Sequence, residues 1–518
     1  MLQPPANRRE LQPATLALGI LAGIIVVKLG LHLVANVFGG YEFHRDEFLY
    51  LAMGEHLRLF GMDFPPAIGL AARIVKVTLG DGLLAIRTVP ALLSTAVIVI
   101  ALLTARDLGG GWFAQLLVGL AILSSPLFLR SGNLFQPVVF DQLAWTAALF
   151  ALIQVIRRDD QRWWLMFGAM CGIGLLAKFS MLVFGVGAFV AILMTPMRRA
   201  LATRWPWLAA FIALAVGSPT FIGQVRLGWP LLAQMGDLQR AQLSRVAPLD
   251  FITGQMGFGP VFFLAAAGAV ALLVTPRFRP YRVVGWTCVV AWLVLLIMKG
   301  KPYYAGPLLP VLAAVAAVEL ERVARPRIGP LLRWSAVGAV IVYGAVTLPL
   351  GVPIVPPEAL ERYLEWLGDE DSVTTNVGAR ERLPQDYADM LGWEGLVAEV
   401  ARVYHELPPD DRRRAVILAS NYGEAGAIDY YGPRRGLPQA VAFVGSYWFF
   451  GPGERPGAVT LAIGFAPDDL RPWFGSVEQV ASYSNPYGVE EQRDNRILLA
   501  RDPGRTLQEV WPSLAGIN

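Results

Sequence analysis

The residues best placed to do chemistry are His44-Arg45-Asp46-Glu47, which directly follow the first long apolar run of the chain. Adjacent carboxylates at the edge of an apolar segment can serve as a general base, orient an acceptor hydroxyl or bind a metal. The competing structural role is helix capping, with Asp46 closing a helix that begins near Glu47. A second group is Lys299, Lys301, Tyr303 and Tyr304 in MKGKPYYAG, where another apolar run begins. Lysines there can hold a phosphate, although Lys and Tyr also anchor helices at a membrane interface. Arg240 and Arg245 lie on an amphipathic stretch, and Arg87, Asp141 and Lys178 sit at the ends of apolar runs. Charges at such depth usually face the protein interior or a wet cavity. His44 and His56, with Asp46 and Glu55, match no ligand spacing for a metal, so none is assigned.

The elements that carry these residues are read from composition and periodicity. The 518 residues are 55% hydrophobic and only 16% charged, against about 25% charged in ordinary soluble domains. Mean hydropathy is +0.48. These values describe a polytopic α-helical membrane protein. Spans are predicted near 15–37, 83–105, 112–129, 142–156, 163–177, 180–196, 207–225, 259–275, 283–298, 304–321 and 333–350, about eleven transmembrane helices. Arg8/Arg9, Arg106, Arg157/Arg158/Arg162, Arg198/Arg199/Arg204, Arg277/Arg279/Arg282 and Arg322/Arg325/Arg327/Arg333 fall in alternate loops. The positive-inside rule makes those loops cytoplasmic, with the N-terminus inside and the C-terminal part outside the membrane.

Residues 1–350 read as the membrane domain, with 29 basic and 15 acidic residues, and 351–518 as an extracytoplasmic α/β domain with 15 and 25. The sequence pI of 9.0 averages the two and gives no argument for nucleic acid. Two longer outer loops, 39–82 and 224–258, read as interfacial helices, the first broken at Pro65-Pro66. Past Pro349, the runs AVILAS, AVAFV, AVTLAIGF and NRILLA read as strands alternating with helices. Asn421-Tyr422-Gly423-Glu424 follows AVILAS in a strand–turn–helix context whose free N–H groups suit a small ligand. Tyr447-Trp448 could stack on a sugar or pack the domain. Cys171 and Cys288 lie inside apolar runs and form no disulfide or zinc pattern.

Taken in order, RDEFLYLAMGEHL, DFPPAIGLAARI, IRTVPALLS, FDQLAW, GIGLLAKFSML, GKPYYAGPLLP, LPQDYADMLGW and NYGEAGAIDYYG resemble the bacterial GT-C glycosyltransferases that use polyprenyl-phosphate sugars. The protein O-mannosyltransferases and the lipid A aminoarabinose transferases are the branches it looks like. The resemblance implies a GT-C fold and Asp46 as general base, with Glu47 assisting or supporting the helix. The polyprenyl phosphate would leave with inversion at the sugar's anomeric carbon. It also implies phosphate or substrate contacts from Lys301 and Tyr304 beside Tyr303, from Arg240 or Arg245, and candidate roles for Lys178, Arg87 and Asp141. Where aminoarabinose transferases carry a lysine before the paired prolines, this chain has Phe64. The implied partners are a polyprenyl-phosphate sugar donor, membrane lipids and an extracytoplasmic acceptor. No cofactor is assigned; divalent ions assist some GT-C enzymes. The alternative is a transporter or lipid flippase, which would show mid-membrane ionisable groups and an inverted repeat. A non-catalytic scaffold with a sugar-binding outer domain is a third reading, and it predicts that Asp46 is dispensable.

Overall fold

The computed structural model describes residues 14–324, 329–368, 371–375 and 378–514. Arg8, Arg9, Arg325 and Arg327, used above for orientation, lie outside the described residues. Helix α1 (Leu18–Phe38) leads into two short helices, α2 (Arg45–Glu55) and α3 (Ala67–Thr78), and then α4 (Leu83–Asp107). There follow α5 (Trp112–Leu123), α6 (Pro126–Ser131), α7 (Pro137–Arg158), α8 (Trp163–Ala177), α9 (Met181–Met194) and α10 (Trp205–Arg226). Two more short helices, α11 (Pro230–Ala241) and α12 (Pro248–Met256), precede α13 (Pro260–Val274), α14 (Arg282–Ile297), α15 (Leu309–Val323) and α16 (Gly329–Gly351).

Every apolar stretch expected to span is helical, but fewer than eleven can cross by length. Seven helices among the described residues are long and apolar enough, or nine if two bent pairs each count as one span. The bends are 101° after Met194 and 113° after Met256. Turns of 3-10 helix extend α14 back to Pro276 and α15 back to Pro302, giving 22 residues each. The shortfall is α5, with 12 residues, and α8, with 15; at about 1.5 Å per residue neither reaches the roughly 30 Å of hydrocarbon. Pro126 explains the first: it has no N–H to donate and its ring blocks the carbonyl four residues earlier, so the run breaks into α5 and α6. The bundle packs through small residues. A Cβ on Gly168 of α8 would collide with Ala209 of α10, and one on Gly268 of α13 with Leu312 of α15. Such close approach is how helices associate where apolar burial alone gives no driving force.

The C-terminal region begins with α17 (Pro357–Leu367), α18 (Gln385–Ala388), α19 (Trp393–Glu406) and α20 (Pro409–Arg414). Then come β1 (Ala415–Ala419), α21 (Tyr422–Tyr431), β2 (Ala440–Val441), β3 (Val459–Ile463), β4 (Phe474–Ser484) and β5 (Asp494–Pro503). The sheet order is β2-β1-β3-β5-β4, with β1 parallel to β2 and β3, and β5 antiparallel to β3 and β4. The buried strands β1 and β3 are the continuous apolar runs expected of a parallel pair. AVAFV contributes only the two-residue β2. The edge strand β4 was not anticipated: none of its residues is fully buried, and a register shift between Gln479 and Ala481 disturbs its alternation.

The first loop and this region share one hydrophobic cluster. Phe48, Met53, Ile68 and Val75 of α2 and α3 pack with Trp393, Val397, Ile417 and Ile428. The second loop folds as two helices instead of one; α11 buries none of its residues, whereas α12 buries Phe251 and Gln255.

Candidate active site

The first turn of α2 is organised by His44, not by Asp46. His44 takes the capping position, its Nδ1 accepting from the Asp46 N–H at 3.1 Å, while the Glu47 carboxylate reaches back to the His44 N–H at 2.8 Å. This reciprocal capping satisfies the open end of the helix and releases the Asp46 side chain. Glu47 is enclosed. It also accepts from the Phe135 N–H at 2.8 Å and from Arg87, whose Nη2 lies 2.7 Å from Oε2. Both side chains of that ion pair are 0% exposed. Arg87 further donates to Asn36 Oδ1 and to the Glu42 carbonyl. These two residues, grouped with the site by sequence, tie the first loop to α4 and do not line the cavity beside Asp46.

Asp46 points the other way. Its Oδ1 accepts from the Tyr422 hydroxyl at 2.9 Å and its Oδ2 from Gln136 Nε2 at 3.2 Å. It lines a cavity of about 140 Å³ with Tyr50, Phe64, Gln136, Lys178 and Tyr303. Ligand pockets for drug-sized molecules run to about 300–1,000 Å³, so this one is smaller than such a pocket. The Lys178 ammonium, at the end of α8, sits 4.5 Å from the Tyr304 ring centroid and 5.3 Å from that of Tyr303. Asp141 accepts from Ser180 Oγ at 2.8 Å, and its other oxygen is buried without a hydrogen-bond partner. A wider depression of about 500 Å³ at Pro456, Asp502, Arg505 and Glu509 brings together none of these groups.

Beyond the membrane bundle, a second layer of charge surrounds Asp46. His44 Nε2 lies 3.8 Å from Asp386 and 3.7 Å from Asp389. Arg130 Nη1 pairs with Asp386 at 3.0 Å. Burial pushes the Asp389 carboxyl up to about 6, with Arg45 and His44 opposing. Burial would also raise Asp386, but Arg130 and His44 outweigh it and hold that group below the ordinary aspartate value. Burial lowers the Lys301 ammonium, while Asp386 and Asp46 oppose and Lys178 adds to the effect. Lys301 thus shares a field with Asp46, Asp386 and Lys178. Arg240 does not: its side chain is 77% exposed and pairs with Asp237 three residues earlier. His56 stacks on Phe450 at 4.3 Å.

Gln136, Tyr50, Asp386 and Arg130 are site residues that the sequence reading does not single out, and Tyr422, read there as part of a small-ligand turn, instead meets Asp46. Asp386 stands in the LPQDYADMLGW segment noted above, and Gln136 is the polar residue just before the proline that opens α7. The expected ligand site at the start of α21 is closed by its own residue: Asn421 Oδ1 accepts from the Gly423 and Glu424 N–H groups. Tyr447 donates to Asp429, and Trp448 to the Trp511 carbonyl, so both serve packing. Glu424 is buried beside Ser420, and burial pushes its carboxyl up to about 7. Its ordinary value is 4.5, so the folded chain holds this proton more tightly than the unfolded chain does. The stability it contributes is complete below that ordinary value and is lost as the pH rises through about 7. Glu424→Gln is therefore expected to raise the melting temperature at alkaline pH and flatten its pH dependence, as thermal melts across pH would record.

Residues 63–222 match the sequence family described as dolichyl-phosphate-mannose-protein mannosyltransferase, a segment running from just before α3 through most of α10. No curated protein matches the sequence. In three dimensions the chain is similar to ArnT from Cupriavidus metallidurans bound to undecaprenyl phosphate, at 15% identity and a TM-score of 0.59, covering 93% of this chain and 98% of that one. The apo crystal structure of the same protein matches at 16% identity and a TM-score of 0.59, covering 97% of this chain and 99% of that one. The likeness is one of fold, it extends over nearly the whole of both chains, and the chain has the GT-C fold that its sequence resembles.

Proposed function

We propose that this protein is a membrane glycosyltransferase that moves a sugar from a polyprenyl-phosphate donor to an extracytoplasmic acceptor. The observation that carries the reading is a cavity lined by both a proton acceptor, Asp46, and a cation, Lys178. Asp46 takes the proton of the acceptor hydroxyl as that oxygen attacks the anomeric carbon. The bond from that carbon to the phosphate oxygen breaks, its electron pair leaves with the polyprenyl phosphate, and the configuration inverts. Lys178, with Lys301 and Tyr304 close by, offsets the charge that builds on the leaving phosphate. Glu47 and Arg87 position α2, Tyr303 lines the cavity beside Lys178, and Asp141 holds Ser180, two residues after Lys178, from behind the lining. The undecaprenyl phosphate in the ArnT structure supports a donor of that class. The resemblance to bacterial transferases supports a bacterial inner membrane, and the arginine distribution supports a cytoplasmic N-terminus with the C-terminal region, from about residue 351, outside.

The test is transfer from a panel of radiolabelled polyprenyl-phosphate sugars to native membrane acceptors by the reconstituted full chain. Label appearing on an acceptor supports the reading. Donor that crosses the bilayer without transfer would favour a flippase and overturn it. Within the same assay, Lys178→Met is expected to lower kcat/KM. A charge-assisted contact contributes about 1.5–3 kcal/mol, and each 1.4 kcal/mol is about ten-fold in rate. An unchanged kcat/KM would remove Lys178 from the phosphate.

A further inference from the structure

We propose that the C-terminal region supplies a positioning residue to the reaction: the Tyr422 hydroxyl holds the Asp46 carboxylate so that its second oxygen faces the acceptor. This rests on the glycosyltransferase reading above. The bond joins residues 376 positions apart in sequence, with a donor–acceptor distance of 2.9 Å. Burial and the adjacent Asp46 charge push the Tyr422 phenol above its ordinary value, so it donates and does not compete as a base. With Oδ1 fixed by the phenol, Oδ2 is left beside Gln136 and the cavity. The proton released when the acceptor O–H bond breaks goes to that oxygen.

The surroundings fix the phenol closely. Tyr422 is the first residue of α21, whose turn is set by the Asn421 cap. The Arg45 guanidinium lies 5.0 Å from the centroid of the Tyr422 ring and is itself held by Asp389 at 3.8 Å and Glu491 at 3.6 Å. Helix α21 meets α2 with no slack: a Cβ on Gly426 would lie 2.5 Å from Phe48 Cβ, and one on Gly423 would lie 3.1 Å from Arg45 Cβ. Glycines at these two places let the backbones approach closely. The same contact that docks the C-terminal region therefore orients the base, which makes that region part of the reaction centre.

The experiment uses the full chain in lipid nanodiscs and compares the parent, Tyr422→Phe, Tyr430→Phe and Asp46→Asn. Tyr430 is the control: from the same helix it donates to the Asp81 carbonyl at 3.1 Å, away from Asp46. Tyr422→Phe is expected to lower kcat about ten-fold, the scale of a lost hydrogen bond to a charged group, with the donor KM unchanged. The acid limb of its pH–kcat profile moves to higher pH, because a donor to the charged form has been removed. Tyr430→Phe leaves both unchanged. In parallel, 3-fluorotyrosine placed at 422 gives a fluorine resonance whose position at fixed pH moves in Asp46→Asn and not in a Tyr430→Phe background, a readout that needs no loss of the ring. A parent-like rate and profile for Tyr422→Phe, the same shift in Tyr430→Phe, or a resonance that Asp46→Asn does not move would overturn the inference. Where one of these results comes with a parent that transfers and an Asp46→Asn that does not, only the inference has failed; if the parent transfers no sugar, the underlying reading falls with it.

Discussion

Asp46→Asn is expected to reduce sugar transfer by about 10²–10⁴-fold, the usual contribution of a positioned general base, while leaving donor binding intact. Asparagine has nearly the shape of aspartate, and its amide oxygen can still accept from Tyr422. What it lacks is a second oxygen able to take the acceptor's proton. The measurement is kcat for transfer in matched preparations, with donor affinity and melting temperature recorded beside it. Full activity in the variant would remove Asp46 from the mechanism. Suspicion would then move to Asp386, near His44 and Arg130, and not to Glu47, whose oxygens are already taken by Arg87, Phe135 and His44.

That reassignment marks how far the sequence could be read. Asp46 and Glu47 are neighbours in sequence and chemically alike, yet successive residues of a helix point about 100° apart. One enters the cavity and the other the core. The sequence pattern does not say which, because the choice depends on where α4 presents Arg87. The positions of the membrane helices were legible from apolar run length, and the errors arose where a run hides a break, as at Pro126 within 112–129. Strands β1, β3 and β5 were legible as apolar runs. The edge strand β4 was not, because a strand with no fully buried residue leaves no continuous apolar run to recognise.

The cavity itself was only half legible. Lys178 and the Tyr303-Tyr304 pair each stood out by their place at the end of an apolar run, but nothing in the sequence brings α8 beside residues more than a hundred positions later. Tyr422 was hidden for a related reason. Its significance comes from docking α21 on α2 through Gly423 and Gly426, and a glycine's place in the sequence does not say which helix will pass against it. Arg240 misled because a basic residue on an amphipathic helix looks the same whether that face meets phosphate or water.

The largest effect on stability is expected at the buried ion pair. Arg87→Met should cost about 3–5 kcal/mol, the penalty for stranding one partner of a buried pair. Glu47 would remain fully enclosed with its charge answered only by the His44 and Phe135 N–H groups. Arg87→Lys keeps the charge but cannot reproduce the fork that reaches Glu47, Asn36 and the Glu42 carbonyl together, so an intermediate loss is expected. The double variant Glu47→Gln with Arg87→Met should lose less than the sum of its parts, because the stranded charge is gone. Thermal and denaturant melts in detergent would measure the parent, these three variants and Glu47→Gln alone. An Arg87→Met variant as stable as the parent would mean that water reaches Glu47 and that α2 is not held by this pair. A strictly additive double variant would mean that the two side chains act separately. Because α2 also carries Asp46, transfer should fall with stability in Arg87→Met and recover partly in the double variant, which separates a misplaced base from a missing one.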